Sequence, residues 1–100
     1  MKYDKLIRDN IPKIIKKRGG VPVTHIADDA EYGKKLKEKL LEEIEEFNKE
    51  ENEEEFADIL EVIDAIADYK KFDRGEVEKI KQKKAAERGK FQKRIILEES

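Results

Sequence analysis

Glu43, Glu46, Glu55 and Asp58 are the residues of this chain whose types and spacing could do chemistry. They form two acidic couples, one in LLEEIEEF (40–47) and one in EEFADILEV (54–62), and the members of each couple are three positions apart. Three residues of helix rise about 4.5 Å, so each couple shares one helix face. At about 100° per residue, Glu55 falls inside the apolar arc of Ile59, Val62, Ile63 and Ile66, and Asp58 lies on the edge of that arc. Glu61, Asp64 and Asp68 fall on the far side and read as solvent residues. In the first segment the arc is centred on Leu40, Ile44 and Phe47. Glu43 borders it, Glu46 is one step further out on the same flank, and Glu42 and Glu45 face away.

The two segments are separated by the short break NKEEN, which predicts an antiparallel helix hairpin. Its midpoint lies between Glu50 and Glu51, so Glu46 matches Glu55 in height and Glu43 matches Asp58. Helix axes pack about 8–10 Å apart, close enough for four carboxylates to converge. Such a group must protonate, move apart or take up a cation, because mutual repulsion and desolvation both oppose bare charge. A hard divalent ion with oxygen ligands, Mg²⁺ or Mn²⁺ in its place, meets that need. An ordinary solvated or ion-paired glutamate is the plainer reading for any one of these residues. It fits Glu55 least, since Glu55 lies within an apolar arc.

The elements that must position these couples follow from periodicity and caps. KLIRDNIPKIIKKRGG opens the chain, with Pro12 suited to the first turn of a short helix and Gly19-Gly20 ending it. VPVTHIA (21–27) reads as an extended connector or one short edge strand. Asp28 or Asp29 caps a long helix over about 29–49, and Asn52 caps a second over about 53–71. A fourth helix is expected over about 75–88, ended by Gly89, with the thin apolar set Val77, Ile80, Ala85 and Ala86. The tail holds Phe91, Ile95, Ile96 and Leu97, which are expected to dock on the body or on a partner. The whole, residues 1–100, reads as one all-α domain: a helical bundle around the hairpin, with a short N-terminal helix, a connector, and a C-terminal helix plus tail.

Composition narrows the function classes. Only 37% of residues are hydrophobic while 48% are charged, so the apolar residues must be well placed or shared with a second subunit. There is no cysteine, which excludes disulfides, thiolate metal sites and cysteine catalysis. The opening MKYDKLIRDN is not a signal peptide and no apolar run is long enough to cross a bilayer; a cytoplasmic protein without membrane contact is expected. Net charge is −2, laid out unevenly: residues 42–55 hold nine glutamates against Lys49, while residues 70–94 hold eleven Lys/Arg against four acids. An acidic centre suits a cation and basic flanks suit an anionic ligand.

Taken together, LLEEIEEF followed by EEFADILEV resembles the Glu-x-x-Glu … Glu-x-x-Asp signature of the MazG-like all-α NTP pyrophosphohydrolase superfamily, which includes the all-α dUTPases and phosphoribosyl-ATP pyrophosphohydrolase. The opening KLIRDNIP and the ending ERGKFQKRIIL are similar to a small MazG-like subgroup, so the resemblance touches nearly the whole chain. It implies hydrolysis of a nucleoside triphosphate to the monophosphate and pyrophosphate, including the clearing of non-standard nucleotides. It also implies Mg²⁺ held by Glu43, Glu46, Glu55 and Asp58, and a homodimer or higher homo-oligomer. Lys5 and Arg8, two cations on one short segment, become candidate phosphate contacts; Lys84, Arg88 and Lys90 are weaker ones. For each basic residue taken singly, a surface ion pair is the competing reading. His25 is assigned no role, and Phe47, Phe56 and Tyr69 are read as core more than as base contacts. There is no Gly-rich phosphate loop. Two other classes compete. One is a non-catalytic helical interaction module. The other is nucleic-acid binding, which the acidic centre and the lack of aromatic–basic interleaving oppose.

Overall fold

The computed structural model describes residues 3–100; the two leading residues of the opening segment lie outside them. Four helices follow in order: α1 (Ile11–Lys17), α2 (Asp29–Lys49), α3 (Glu53–Lys70) and α4 (Arg74–Arg88). The architecture is all-α, and the described residues contain no strand. The connector before α2 is irregular instead of an edge strand, and Val21, Val23 and Ile26 are almost fully exposed. A strand needs a sheet to satisfy its backbone, and none is within reach.

Each long helix begins at a side-chain cap. Asp28 accepts a hydrogen bond from the Glu31 amide at 2.9 Å, Asn52 from the Glu55 amide at 2.9 Å, and Asp73 from the Glu76 amide at 3.1 Å. Such a cap satisfies an amide that the helix itself leaves unpaired. Acidic residues in the first turns of α2 and α3 add favourable interaction with the helix dipole. Pro12 stands in the first turn of α1, and Gly19 closes that helix with a left-handed φ of 86°. The same turn after α3 is made by Lys71 at φ 58°, with the Phe72 amide donating to the Ala67 carbonyl at 3.0 Å.

Among the described residues the hairpin of α2 and α3 is the packed part; no other pair of helices makes more than marginal contact. An aromatic pair marks each end. Phe47 and Phe56 lie 6.2 Å apart near the connection, and Tyr32 and Tyr69 meet edge to face at 5.3 Å near the open end. Their summed positions fix the antiparallel register. The Tyr69 hydroxyl donates to the Asp29 carbonyl at 2.8 Å, which holds the ring against Gly33. A Cβ at Gly33 would stand 2.7 Å from the Tyr69 hydroxyl oxygen, so this helical position accepts glycine because a ring passes so close.

The core is small. Leu36, Val62 and Ala67 are its buried apolar residues, and Glu43 is buried beside them. The chain exposes 9,632 Å² and has a radius of gyration of 17.9 Å. A compact chain of this mass would expose about 5,900 Å² with a radius of gyration of about 13 Å. The exposed connector before α2, α4 and the tail all contribute to the difference, since none of them packs on the hairpin. Phe91, Ile95, Ile96 and Leu97 are each more than three-quarters exposed, so the tail does not dock on the body of its own chain. α4 is too weakly apolar to fold back, with Val77 and Ile80 about half exposed.

Candidate metal centre

The hairpin brings Glu43 of α2 together with Glu55 and Asp58 of α3. One carboxylate oxygen from each lies within 4.8 Å of the other two. Glu55 is placed there by its own cap: the Asn52 bond to its amide starts α3 at the right turn, and the carboxyl then points across the hairpin. Glu43 is only 9% exposed, while Glu55 and Asp58 are half-buried. Glu46 lies on the rim. It is exposed, bonds Lys49 at 3.7 Å, and is near enough for its charge to act on Glu55. Three of the four expected ligands are therefore gathered and the fourth stands beside them.

Glu55 carries the electrostatic load. Desolvation, followed by the charges of Asp58, Glu46, Glu43 and Glu50, pushes its carboxyl above the ordinary carboxylate value. Glu42 behaves oppositely. Burial alone would push it up, but hydrogen bonds from Lys5 and Lys39 outweigh burial and hold it below the ordinary value. The spacing put Glu42 on the outward face, yet Lys5 reaches it at 2.9 Å and Lys39 at 3.2 Å. Lys39 also sits 3.3 Å from Glu43. Its role in neutralising that buried carboxylate was visible only as an i,i+4 spacing, which any charged helix shows.

Among the expected phosphate contacts, Lys5 and Arg8 do come to the acidic cluster. Both are engaged there with acids: Lys5 with Glu42, and Arg8 with Asp58 at 2.7 Å. Lys84 and Arg88 do not come. They are exposed on α4, which does not pack on the hairpin, and Lys90 lies beyond it. His25 bonds Glu31 at 2.9 Å, away from the cluster. A concavity of about 190 Å³ lies between the N-terminal segment and α2, lined by Asp4, Lys5, Lys35, Glu38, Lys39 and Glu42 among others. Its three lysines are matched by Asp4, Glu38 and Glu42, with which they pair.

Comparison with known proteins returns no match. No family model, no curated protein and no solved structure matches this chain. What the site can do therefore rests on its own chemistry. A set of hard oxygen donors from two helices, with too few protein cations to balance them, fits a small divalent ion; softer metals lack thiolate or imidazole donors here.

The two opposite perturbations give a pH test. The raised Glu55 carboxyl binds its proton more tightly in the folded state. Its favourable contribution is complete below the ordinary value of 4.5 and is lost as pH rises through the raised value, so at neutral pH its charge opposes folding. Glu42 contributes stability above 4.5 that is lost as pH falls through its lowered value. In chelator at pH 7, Glu55→Gln is expected to raise the melting temperature by a few degrees and Glu42→Gln to lower it by a few. Shifts of the same sign in thermal melts of the two variants would contradict this assignment.

Proposed function

We propose that this protein is a Mg²⁺-dependent nucleoside triphosphate pyrophosphohydrolase of the MazG-like kind, with Mn²⁺ able to replace Mg²⁺. The observation that supports it is the convergence of Glu43, Glu55 and Asp58 from two antiparallel helices, in the order and spacing of the superfamily signature. These three carboxylates, with Glu46 at their rim, would hold the ion, which when bound neutralises the cluster and draws the phosphate oxygens of the substrate to it. Glu46 is exposed and adjacent, which suits a carboxylate that orients a water and takes its proton. In the balanced reaction the water oxygen bonds to phosphorus, the bridge between the α and β phosphates breaks, and pyrophosphate leaves with the electron pair. Lys39, only 15% exposed in its side chain, keeps Glu43 in place. The positioning of charge by fixed groups supplies most of the rate in such a transfer.

The same reading includes a cytoplasmic location, the clearing of non-standard nucleotides, and assembly into a homodimer or larger homo-oligomer. No helix of the described residues is long and apolar enough to cross a membrane. About 3,700 Å² of surface beyond that of a compact chain leaves room for interfaces well above the ~800 Å² per partner of a standard one. Exposed Leu41, Phe56, Leu60 and Ile63 on the hairpin are the apolar residues such an interface would cover.

A pyrophosphate-release screen over canonical and modified NTPs, with Mg²⁺ and with Mn²⁺, tests the activity. Turnover that chelator abolishes is expected, together with a Mg²⁺-dependent rise in melting temperature. A melting temperature indifferent to Mg²⁺, with no pyrophosphate released, would leave the non-catalytic helical module as the reading.

A further inference from the structure

We infer that Arg8 is an exchangeable counter-ion: its guanidinium occupies Asp58 while no divalent cation is bound and transfers to the phosphates of the ligand when one is. The inference rests on the metal site proposed above and adds a role for a residue outside the acidic signature.

Three observations carry it. Arg8 Nη2 donates to Asp58 Oδ1 at 2.7 Å, across fifty residues of chain. Asp58 is one of the three acids that converge, so a protein cation already stands on a candidate ligand. The contact is one-pronged and open to water, with the two side chains 57% and 39% exposed. An exposed pair of this kind shifts an equilibrium by at most about fivefold. It is strong enough to steady Asp58 and weak enough to be displaced.

The surroundings separate anchoring from exchange. The N-terminal segment is fastened at other points: Lys5 to Glu42 at 2.9 Å, and Lys35 to the Asp4 carbonyl at 2.8 Å. Leu6 and Ile7 are half-buried beneath it. The Arg8 carbonyl accepts from the Ile11 amide at 3.1 Å, which ties the backbone to α1. Only the Arg8 side chain is left to swing. Lys5, Lys35 and Lys39 line the concavity between this segment and α2, but each is held there by Asp4, Glu38 or Glu42, so a displaced Arg8 guanidinium is the cation of this segment that is released toward phosphate oxygens. Guanidinium matches phosphate with paired N–H donors, which a single bond to Asp58 leaves largely unused.

Arginine thereby couples the two ligands. Without metal it offsets repulsion in the cluster, and with metal it is released where the phosphates must bind. Metal binding is predicted to be slightly opposed by Arg8, and phosphate binding to be strengthened by it.

The test is Mn²⁺ titration followed by inorganic pyrophosphate titration of the Mn²⁺-loaded protein, on the full chain. Arg8→Gln is expected to tighten Mn²⁺ about two- to fivefold and to weaken pyrophosphate about tenfold or more. Arg8→Lys, which keeps the charge, should leave Mn²⁺ affinity within about twofold and restore only part of the pyrophosphate affinity. Lys5→Gln, which removes an equal charge from Glu42, should tighten Mn²⁺ less than Arg8→Gln does. Arg8→Gln with unchanged or weaker Mn²⁺ binding overturns the exchange while leaving the metal site standing. Equal tightening by Lys5→Gln also overturns it, reducing the effect to general charge. A wild-type protein that binds no Mn²⁺ overturns the metal site and the exchange together.

Discussion

Glu55→Ala is expected to lower pyrophosphate release by at least about a hundredfold, while Glu61→Ala stays within about twofold of wild type. Both residues are glutamates on α3, six positions apart. Glu55 is half-buried and shares a 4.8 Å cluster with Glu43 and Asp58; Glu61 is exposed on the opposite side. Losing Glu55 removes a hard oxygen donor at the centre of the cluster, where Asp58, Glu46, Glu43 and Glu50 all act on it. It also removes a charge that opposes metal-free folding, so the variant should melt no lower in chelator than wild type. That pairing, lost turnover without lost stability, separates a functional acid from a structural one. Glu46→Ala is informative beside it. Standing at the rim, Glu46 should cost more in turnover than in metal-induced stabilisation, whereas Glu55 should cost both. Equal turnover in the Glu55 and Glu61 variants would remove the site.

The hairpin and most of the cluster were legible because both depend on short-range regularities. Caps at Asp28 and Asn52 follow from the backbone needs of any helix start, and a three-residue connection leaves two long helices one way to pack. Once the register is set, the convergence of Glu43, Glu55 and Asp58 is arithmetic on 3.6 residues per turn. The arithmetic failed for Glu42. A wheel gives the angle around one helix and is blind to an irregular segment laid over it, here the one bearing Lys5 and Arg8. Those contacts span thirty-seven and fifty residues and have no periodic signature. For a related reason the sequence left the tail open between body and partner, and the body of its own chain does not receive it. Ile95, Ile96 and Leu97 are apolar and so suggest docking, but composition cannot say whether the chain offers a surface within reach. Lys71 in the left-handed turn is a smaller case, since a glycine would have announced it.

The largest stability effect should come from Leu36→Ala, at about 2–5 kcal/mol. Leu36 is 1% exposed and is the one large side chain that is fully buried among the described residues. Truncation removes transfer free energy and leaves a cavity, because α2 and α3 are held at fixed separation by the Phe47–Phe56 and Tyr32–Tyr69 pairs at either end. A domain's net stability is only about 5–15 kcal/mol, and few other buried apolar residues share the load here, so a fall in melting temperature of roughly 10–25 °C is expected. Leu41→Ala provides the comparison. Leu41 is 63% exposed in the single chain, and an isolated protomer should lose almost nothing with it. If a second copy covers the hairpin, Leu41→Ala lowers the melting temperature too, and the loss grows from near zero in dilute solution to a plateau as protein concentration rises, because association stabilises by mass action. Leu36→Ala has no such concentration dependence of its own, since its cavity lies inside one hairpin. Thermal melts of the two variants over a wide concentration range therefore separate what the chain stabilises alone from what it leaves to its neighbour. A Leu36→Ala protein that melts within a few degrees of wild type would show that the hairpin is not the element that holds the fold.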